Sequence, residues 1–122
     1  MKTVAVVGAS NHREKFGNKA LRAFRDAGHT VIPINTHESE VEGIKAYRSV
    51  LDVPATIDMA TVYVQPEVVH RLLDEFQRKQ IPEIWLNPGA DSDEVLDEAR
   101  RRKLNVIAAC SIVGIGRSPS SY

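Results

Sequence analysis

Short apolar runs alternate with longer amphipathic stretches along most of the chain. The first run, residues 3–7, is apolar and β-branched, which is typical of a strand buried in a parallel sheet. Similar runs predict further strands at 30–34, 59–64, 83–86 and 105–109. The stretches between them carry apolar residues at the spacing of one helix face. This alternation predicts an α/β fold, a doubly wound parallel sheet of about five strands with helices on both faces.

Local signals predict where several of these elements begin and end. Gly28 is a candidate C-cap for the first helix, and Pro66 suits the first turn of the second. Asp91 and Glu94 have the spacing of a capping box before the third helix. The polar stretch after the second strand leaves room for a short edge strand near residues 44–47.

The turn after the first strand carries the clearest functional signal. Gly8-Ala9-Ser10 follows the strand, and a polar loop leads to Phe16-Gly17-Asn18, which opens a helix. Small residues let backbone N–H groups approach a ligand closely, and the helix adds the positive end of its dipole. Strand, small-residue turn and helix together predict a nucleotide-binding, Rossmann-like unit with a site for phosphate.

Two departures separate this unit from the common dinucleotide fingerprint, in which three glycines lie within about six residues. The glycine after Gly8 is Gly17, so the turn is longer, and it carries Arg13 and Lys15. The second strand ends in Asn35-Thr36-His37, where an acidic residue would bind the ribose of NAD. Both departures favour a nucleotide richer in phosphate than NAD.

The predicted strand ends together define a candidate crevice, because ligands of open α/β sheets bind beyond the carboxyl ends of the strands. These ends are Gly8-Ala9-Ser10, Asn35-Thr36-His37, Val64-Gln65-Pro66, Asn87-Pro88-Gly89 and Cys110. Val64 and Pro66 offer a flat apolar wall for an adenine. Gly, Pro and Asn also occur at strand ends simply because turns need them, so any single turn alone is weak evidence.

In order and spacing, several stretches resemble the small CoA-binding domain proteins, which are related to the N-terminal domain of the succinyl-CoA synthetase α-subunit. The resemblance runs from about Val4 to Val113. It is carried by Gly8-Ala9-Ser10, residues 15–18, residues 31–35, Tyr47, residues 64–67, residues 85–90 and Cys110.

The resemblance implies a fold that holds the 3′-phospho-ADP moiety of coenzyme A across the strand ends. It implies that Gly8, Ala9 and Ser10 meet the pyrophosphate, that Lys15 reaches the phosphates, the 3′-phosphate in particular, and that Val64 and Pro66 flank the adenine. Arg13 and His37 are reserve cations. The candidate cofactor-binding residues are Gly8, Ala9, Ser10, Lys15, Phe16, Asn35, His37, Val64, Pro66, Asn87, Pro88, Gly89 and Cys110.

Composition narrows the expected class of protein. The 122 residues carry 16 basic and 16 acidic side chains, so no net charge favours nucleic acid or membranes as partners. The length predicts a single domain over 1–122, with a loosely ordered tail from about residue 114. A single cysteine and the absence of a long apolar run predict a cytoplasmic protein.

The resemblance implies a protein that binds CoA or acyl-CoA and is not an enzyme by itself. No metal site is expected, because no Cys/His cluster has ligand spacing. Cys110 is a candidate for contact with a cofactor thiol, although a lone cysteine is more often an inert small hydrophobe. The alternative is an NAD(P)-dependent oxidoreductase, or a transferase completed by a partner. A third alternative is a scaffold domain that retains the fold without a ligand. Formation of a homodimer and binding of a protein partner also stay open.

Overall fold

The computed structural model describes residues 1–122, and its centre is a five-stranded sheet in which all neighbouring strands are parallel. The strands are β1 (Thr3–Val7), β2 (Thr30–Ile34), β3 (Glu40–Val41), β4 (Ile44–Lys45), β5 (Met59–Val62), β6 (Ile84–Leu86) and β7 (Val106–Ala108). The helices are α1 (Phe16–Asp26), α2 (Pro66–Lys79), α3 (Asp93–Arg101) and α4 (Ser111–Gly114), with 3₁₀ turns at Val50–Asp52 and Pro119–Ser121. The sheet order β2-β1-β5-β6-β7 confirms the predicted fold class.

Helices cover both faces of the sheet because alternate residues of each buried strand point to opposite sides. In β1, Val4 and Val6 belong to the core under α1 and α4, whereas Ala5 and Val7 belong to the core under α2 and α3. Each core contains a fully buried phenylalanine, whose burial stabilises the fold by about 2 to 3 kcal/mol. The continuous apolar run 3–7 is therefore explained by packing on both faces.

The order of the strands reverses at β1, and this reversal positions the candidate site. From β1 the chain crosses first to β2 on one side and later to β5 on the other. The small hairpin β3–β4 lies beyond β2, and a bridge from Tyr47 to Ile34 attaches it to the sheet. In such sheets the crevice between strands that diverge from the switch point is where ligands bind.

Some predicted boundaries are wrong by one or two residues. Asp91 does not cap α3: Ser92 is the N-cap, and its hydroxyl accepts a hydrogen bond from the Val95 N–H. The strand predicted over 59–64 ends at Val62, which leaves Tyr63 and Val64 in the loop above the sheet. The edge strand expected near 44–47 is present only as Ile44–Lys45 followed by an isolated bridge at Tyr47.

The C-terminal segment, for which the sequence predicts a loose tail, returns across α1. Tyr122 packs beside the core, and the Arg22 guanidinium lies 5.6 Å from the centre of its ring. Arg117 donates a hydrogen bond of 2.9 Å to the Tyr122 hydroxyl.

None of the helices has the length and apolar character that a membrane span requires.

Candidate functional site

A cleft of about 1060 Å³ opens at the carboxyl edge of the sheet, at the switch point between β1 and β5. Its volume is at the upper end of the range for small-molecule sites. The loops after β1, β2, β5, β6 and β7 all contribute to its walls, together with one side of α2. The topology therefore brings the predicted strand ends together at one place.

The turn after β1 is held open by two glycines in contact with each other. Gly8 has a φ of +90°, a conformation that suits glycine. A Cβ on Gly17 would lie only 2.2 Å from the Gly8 carbonyl oxygen, so the first turn of α1 packs directly on the turn. Gly17 therefore corresponds in role to the third glycine of the compact fingerprint, which allows the helix to pack closely on the strand.

Backbone donors on both sides of this turn have no acceptor within the chain. The N–H groups of Ala9, Ser10, Phe16 and Gly17 make none of the chain's own hydrogen bonds. Ala9 and Gly17 are buried residues, and buried N–H groups without a partner are rare. Together with the helix dipole, these donors form a site that favours an anion.

The loop between Gly8 and Gly17 is held in place by hydrogen bonds from the buried side chain of Asn18. The Asn18 side-chain amide donates to the Ser10 carbonyl at 2.7 Å and to the Glu42 carboxylate at 3.0 Å. That hydrogen bond and the nearby Arg13 lower the pKa of Glu42 below its usual value. Arg13 itself pairs with Glu42 at 3.4 Å and does not line the cleft. Arg13, which the sequence offers as a reserve cation for the ligand, therefore stabilises the conformation of the loop through Glu42.

Most of the residues predicted from the sequence line this cleft. They are Gly8, Ala9, Ser10, Lys15, Phe16, Asn35, Val64, Asn87, Pro88, Gly89 and Cys110. The structure does not bring His37 and Pro66 to it. His37 is exposed, and Pro66 opens α2 beside a separate small cleft shared with Ser92.

Asn35 lines the cleft, but its side chain is occupied by backbone partners. The Asn35 amide donates to the Ala9 carbonyl at 2.8 Å. Its carbonyl oxygen accepts from the N–H groups of His37 at 2.6 Å and Glu38 at 2.8 Å. Asn35 therefore ties the end of β2 to the turn after β1, which makes it a positioning residue.

Two further cations line the cleft that the sequence analysis does not single out. Arg48 follows the Tyr47 bridge, and Arg71 lies on α2. No local sequence pattern marks Arg71 or Arg48. Arg48 reaches the sheet through the pairing of Tyr47 with Ile34, a contact between distant parts of the chain. Lys15, Arg48 and Arg71 together give the cleft three cationic side chains.

An apolar arm of the cleft was also missed. Val68 and Leu72 follow Val64 at intervals of four residues, and all three are half-buried beside the cleft. The fully buried stripe of α2 is instead Val69, Leu73 and Phe76. The signal available in the sequence was that α2 carries more apolar residues than one core-facing stripe requires.

A buried polar network supports the far wall of the cleft. Asn87 donates to the Thr61 hydroxyl at 2.8 Å and accepts from the Ser111 N–H at 2.8 Å. The Ser111 hydroxyl lies 2.7 Å from that of Thr61 and 3.1 Å from that of Tyr63. Burial raises the pKa of Tyr63 above its usual value, although the Ser111 hydrogen bond opposes this. The network fixes the loop that carries Cys110 against the ends of β5 and β6.

The fold is a Rossmann-like domain of the kind that binds nucleotides, with a turn of unpaired backbone donors at the switch point of a parallel sheet. The sequence profile of the CoA binding domain matches residues 2–115. The chain therefore belongs to the CoA-binding domain family, related to the CoA-binding part of ligase and succinyl-CoA synthetase α-subunits.

Relatives and solved structures agree with this assignment. The chain is 31% identical over 105 residues to the acetate–CoA ligase (ADP-forming) II subunit alpha of Pyrococcus furiosus, covering 85% of this chain but 23% of the ligase subunit. It is 28% identical over 106 residues to the Bacillus subtilis protein YneT, covering 87% of this chain and 78% of YneT. The solved structure of the conserved hypothetical protein Pfu-723267-001 from Pyrococcus furiosus superposes with a TM-score of 0.86 at 30% identity, over 93% of this chain and 99% of that one.

Proposed function

We propose that this chain binds CoA or acyl-CoA through the 3′-phospho-ADP moiety at the carboxyl edge of the sheet, and that by itself it catalyses no reaction. The observation that carries the proposal is the combination, in one cleft, of backbone donors without acceptors and three cationic side chains. Family membership supports CoA as the ligand, and the cleft supports the mode of binding.

The turn after β1 fits the pyrophosphate. Its free N–H groups belong to the two residues after Gly8 and to the first two residues of α1, and Lys15 is the N-cap residue of α1, beside the same turn. A pyrophosphate needs several donors and a nearby cation, and hydrogen bonds to charged oxygens are the stronger kind. Since the turn is fixed by Asn18 and Gly17, the donors are already oriented before the ligand arrives.

The apolar arm fits the adenine. Val64, Val68 and Leu72 are half-buried and line the cleft together with Arg71. A planar base buries its faces against such a surface while its ribose remains near the ends of β1 and β2. Val64 keeps the role that the sequence predicts for it, and Val68 and Leu72 take the role first assigned to Pro66.

The side chains around the cleft favour binding over acid–base chemistry. No histidine lines the cleft, and its only carboxylate, Glu75, accepts a hydrogen bond from the Ser49 hydroxyl. Cys110 has no side-chain hydrogen bond to a base, which a nucleophile requires.

The thermal midpoint of unfolding tests the proposal with CoA, dephospho-CoA, NAD, NADP and ATP, each at millimolar concentration. A ligand at a hundredfold excess over its Kd stabilises the folded state by about 2.7 kcal/mol. For a domain of this size we expect CoA to raise the midpoint by roughly 10 °C, and the other nucleotides to raise it less. A scan by differential fluorimetry, with each ligand alone in buffer as a control, makes the comparison.

A larger shift with NAD or NADP than with CoA would contradict the proposal and favour an oxidoreductase of the same fold. No shift with any nucleotide would contradict it as well and favour a scaffold that retains the fold without a ligand.

A further inference from the structure

Two arginines that line the cleft have no hydrogen-bonding or ion-pair partner in the chain. Among the arginines, seven donate hydrogen bonds or form ion pairs: Arg13, Arg22, Arg78, Arg100, Arg101, Arg102 and Arg117. Arg25, Arg48 and Arg71 have no such partner, and two of these three line the cleft. Uncommitted guanidinium groups are thus concentrated where a ligand would meet them.

The topology places this pair beside the expected ribose. The Tyr47 carbonyl accepts a hydrogen bond of 2.9 Å from the Asn35 N–H, so the next residue, Arg48, lies beside the end of β2. Arg71 follows Val68 by three residues on α2 and lines the same arm. In Rossmann-like folds the end of the second strand meets the ribose, and an arginine there accommodates a ribose phosphate.

The surroundings of the pair suit a phosphate monoester. The residues at the end of β2 that line the cleft, Asn35 and Thr36, are neutral. Glu75 also lines this arm, but it accepts from Ser49 and pairs with neither arginine. A guanidinium group matches phosphate oxygens with two parallel donors, which gives both charge and geometry.

Resting on the proposed function, we infer that Arg48 and Arg71 bind the 3′-phosphate of CoA and determine the preference of the site for CoA over dephospho-CoA. Lys15 then serves the pyrophosphate at the other end of the cleft, in place of the 3′-phosphate role expected from the sequence. Lys15 thus neutralises charge on the pyrophosphate, and the two arginines neutralise charge on the 3′-phosphate.

The test is a titration calorimetry comparison of CoA with dephospho-CoA. We expect Arg48→Ala and Arg71→Ala each to weaken CoA about tenfold or more, the usual contribution of a charged hydrogen bond. The affinity for dephospho-CoA should change by less than threefold in both variants. Lys15→Ala should weaken both ligands by the same factor, because both contain the pyrophosphate.

Arg25→Ala is the matched control, because Arg25 is also exposed and unpaired but lies on α1 outside the cleft. It should leave both affinities unchanged. Circular dichroism of each variant verifies that the fold is retained. The variants Arg48→Lys and Arg71→Lys retain the charge, so they should lose less CoA affinity than the alanine variants. Equal losses for both ligands at Arg48 and Arg71, or no loss, would overturn this inference while leaving the CoA site intact. Failure of the unmodified chain to bind CoA would overturn the proposed function itself.

Discussion

Replacing Gly17 with alanine should lower the free energy of unfolding by about 2 to 3 kcal/mol. The new Cβ would lie 2.2 Å from the Gly8 carbonyl oxygen, so α1 must move away from the turn. Over-packing of this kind costs roughly 1 to 3 kcal/mol or more. In an unobstructed helix the same change would stabilise by about 1 kcal/mol, so the sign of the effect is itself informative. Because the movement separates the donors of the turn, CoA affinity should fall at least tenfold.

Urea unfolding and calorimetric titration with CoA measure the two effects. Gly28→Ala is the control for adding a Cβ without a clash, because a Cβ there would meet nothing within 4 Å, although Gly28, unlike Gly17, has a positive φ of +91°. It should cost about 1 to 2 kcal/mol of backbone strain and leave CoA affinity unchanged. If Gly17→Ala is too unstable to purify, Gly8→Ala replaces it, because its Cβ would lie 3.0 Å from Val64 and its φ of +90° adds strain at the same turn. An unchanged or higher stability of Gly17→Ala would show that α1 does not rest on the turn.

Replacing Asn87 with alanine should have the second large effect, a loss of about 3 kcal/mol in the free energy of unfolding. Asn87 is buried and donates to the Thr61 hydroxyl at 2.8 Å and to the Val62 carbonyl at 3.0 Å. It also accepts from the Ser111 N–H at 2.8 Å. Alanine would leave the buried Ser111 N–H without a partner, and such an unsatisfied group costs about 1 to 3 kcal/mol. The Thr61 hydroxyl and the Val62 carbonyl would each lose one of two hydrogen bonds, which adds to the loss.

Chemical denaturation with urea measures this loss, and Asn105→Ala is the matched control. Asn105 is exposed and donates a single hydrogen bond of 3.2 Å to the Pro82 carbonyl, so its removal should cost about 1 kcal/mol or less. Equal effects at Asn87 and Asn105 would contradict a role for the buried network in fixing the loop at Cys110.

The fold could be predicted from the sequence because its signals are local. Each buried strand is an apolar run, and each helix repeats apolar residues on one face. The signal that failed was the capping box at Asp91. Ser92 has the same capping chemistry one residue later, and the choice between them depends on where α3 packs.

The candidate site could be predicted only where a strand end delivers its residues directly. Gly8 and Lys15 could be located because one turn connects them to β1 and α1. Arg48 could not, because it reaches the cleft through a hairpin and one bridge, which are contacts between distant parts of the chain. Pro66 does not line the cleft because it opens α2 away from it, and later turns of that helix line the cleft instead.

A calorimetric titration of the unmodified chain with CoA tests the central claim most directly. We expect one saturable site per chain, with an affinity at least tenfold higher for CoA than for dephospho-CoA, because the 3′-phosphate makes a charged contact. No binding of CoA, or tighter binding of NADP than of CoA at the same ionic strength, would contradict the account.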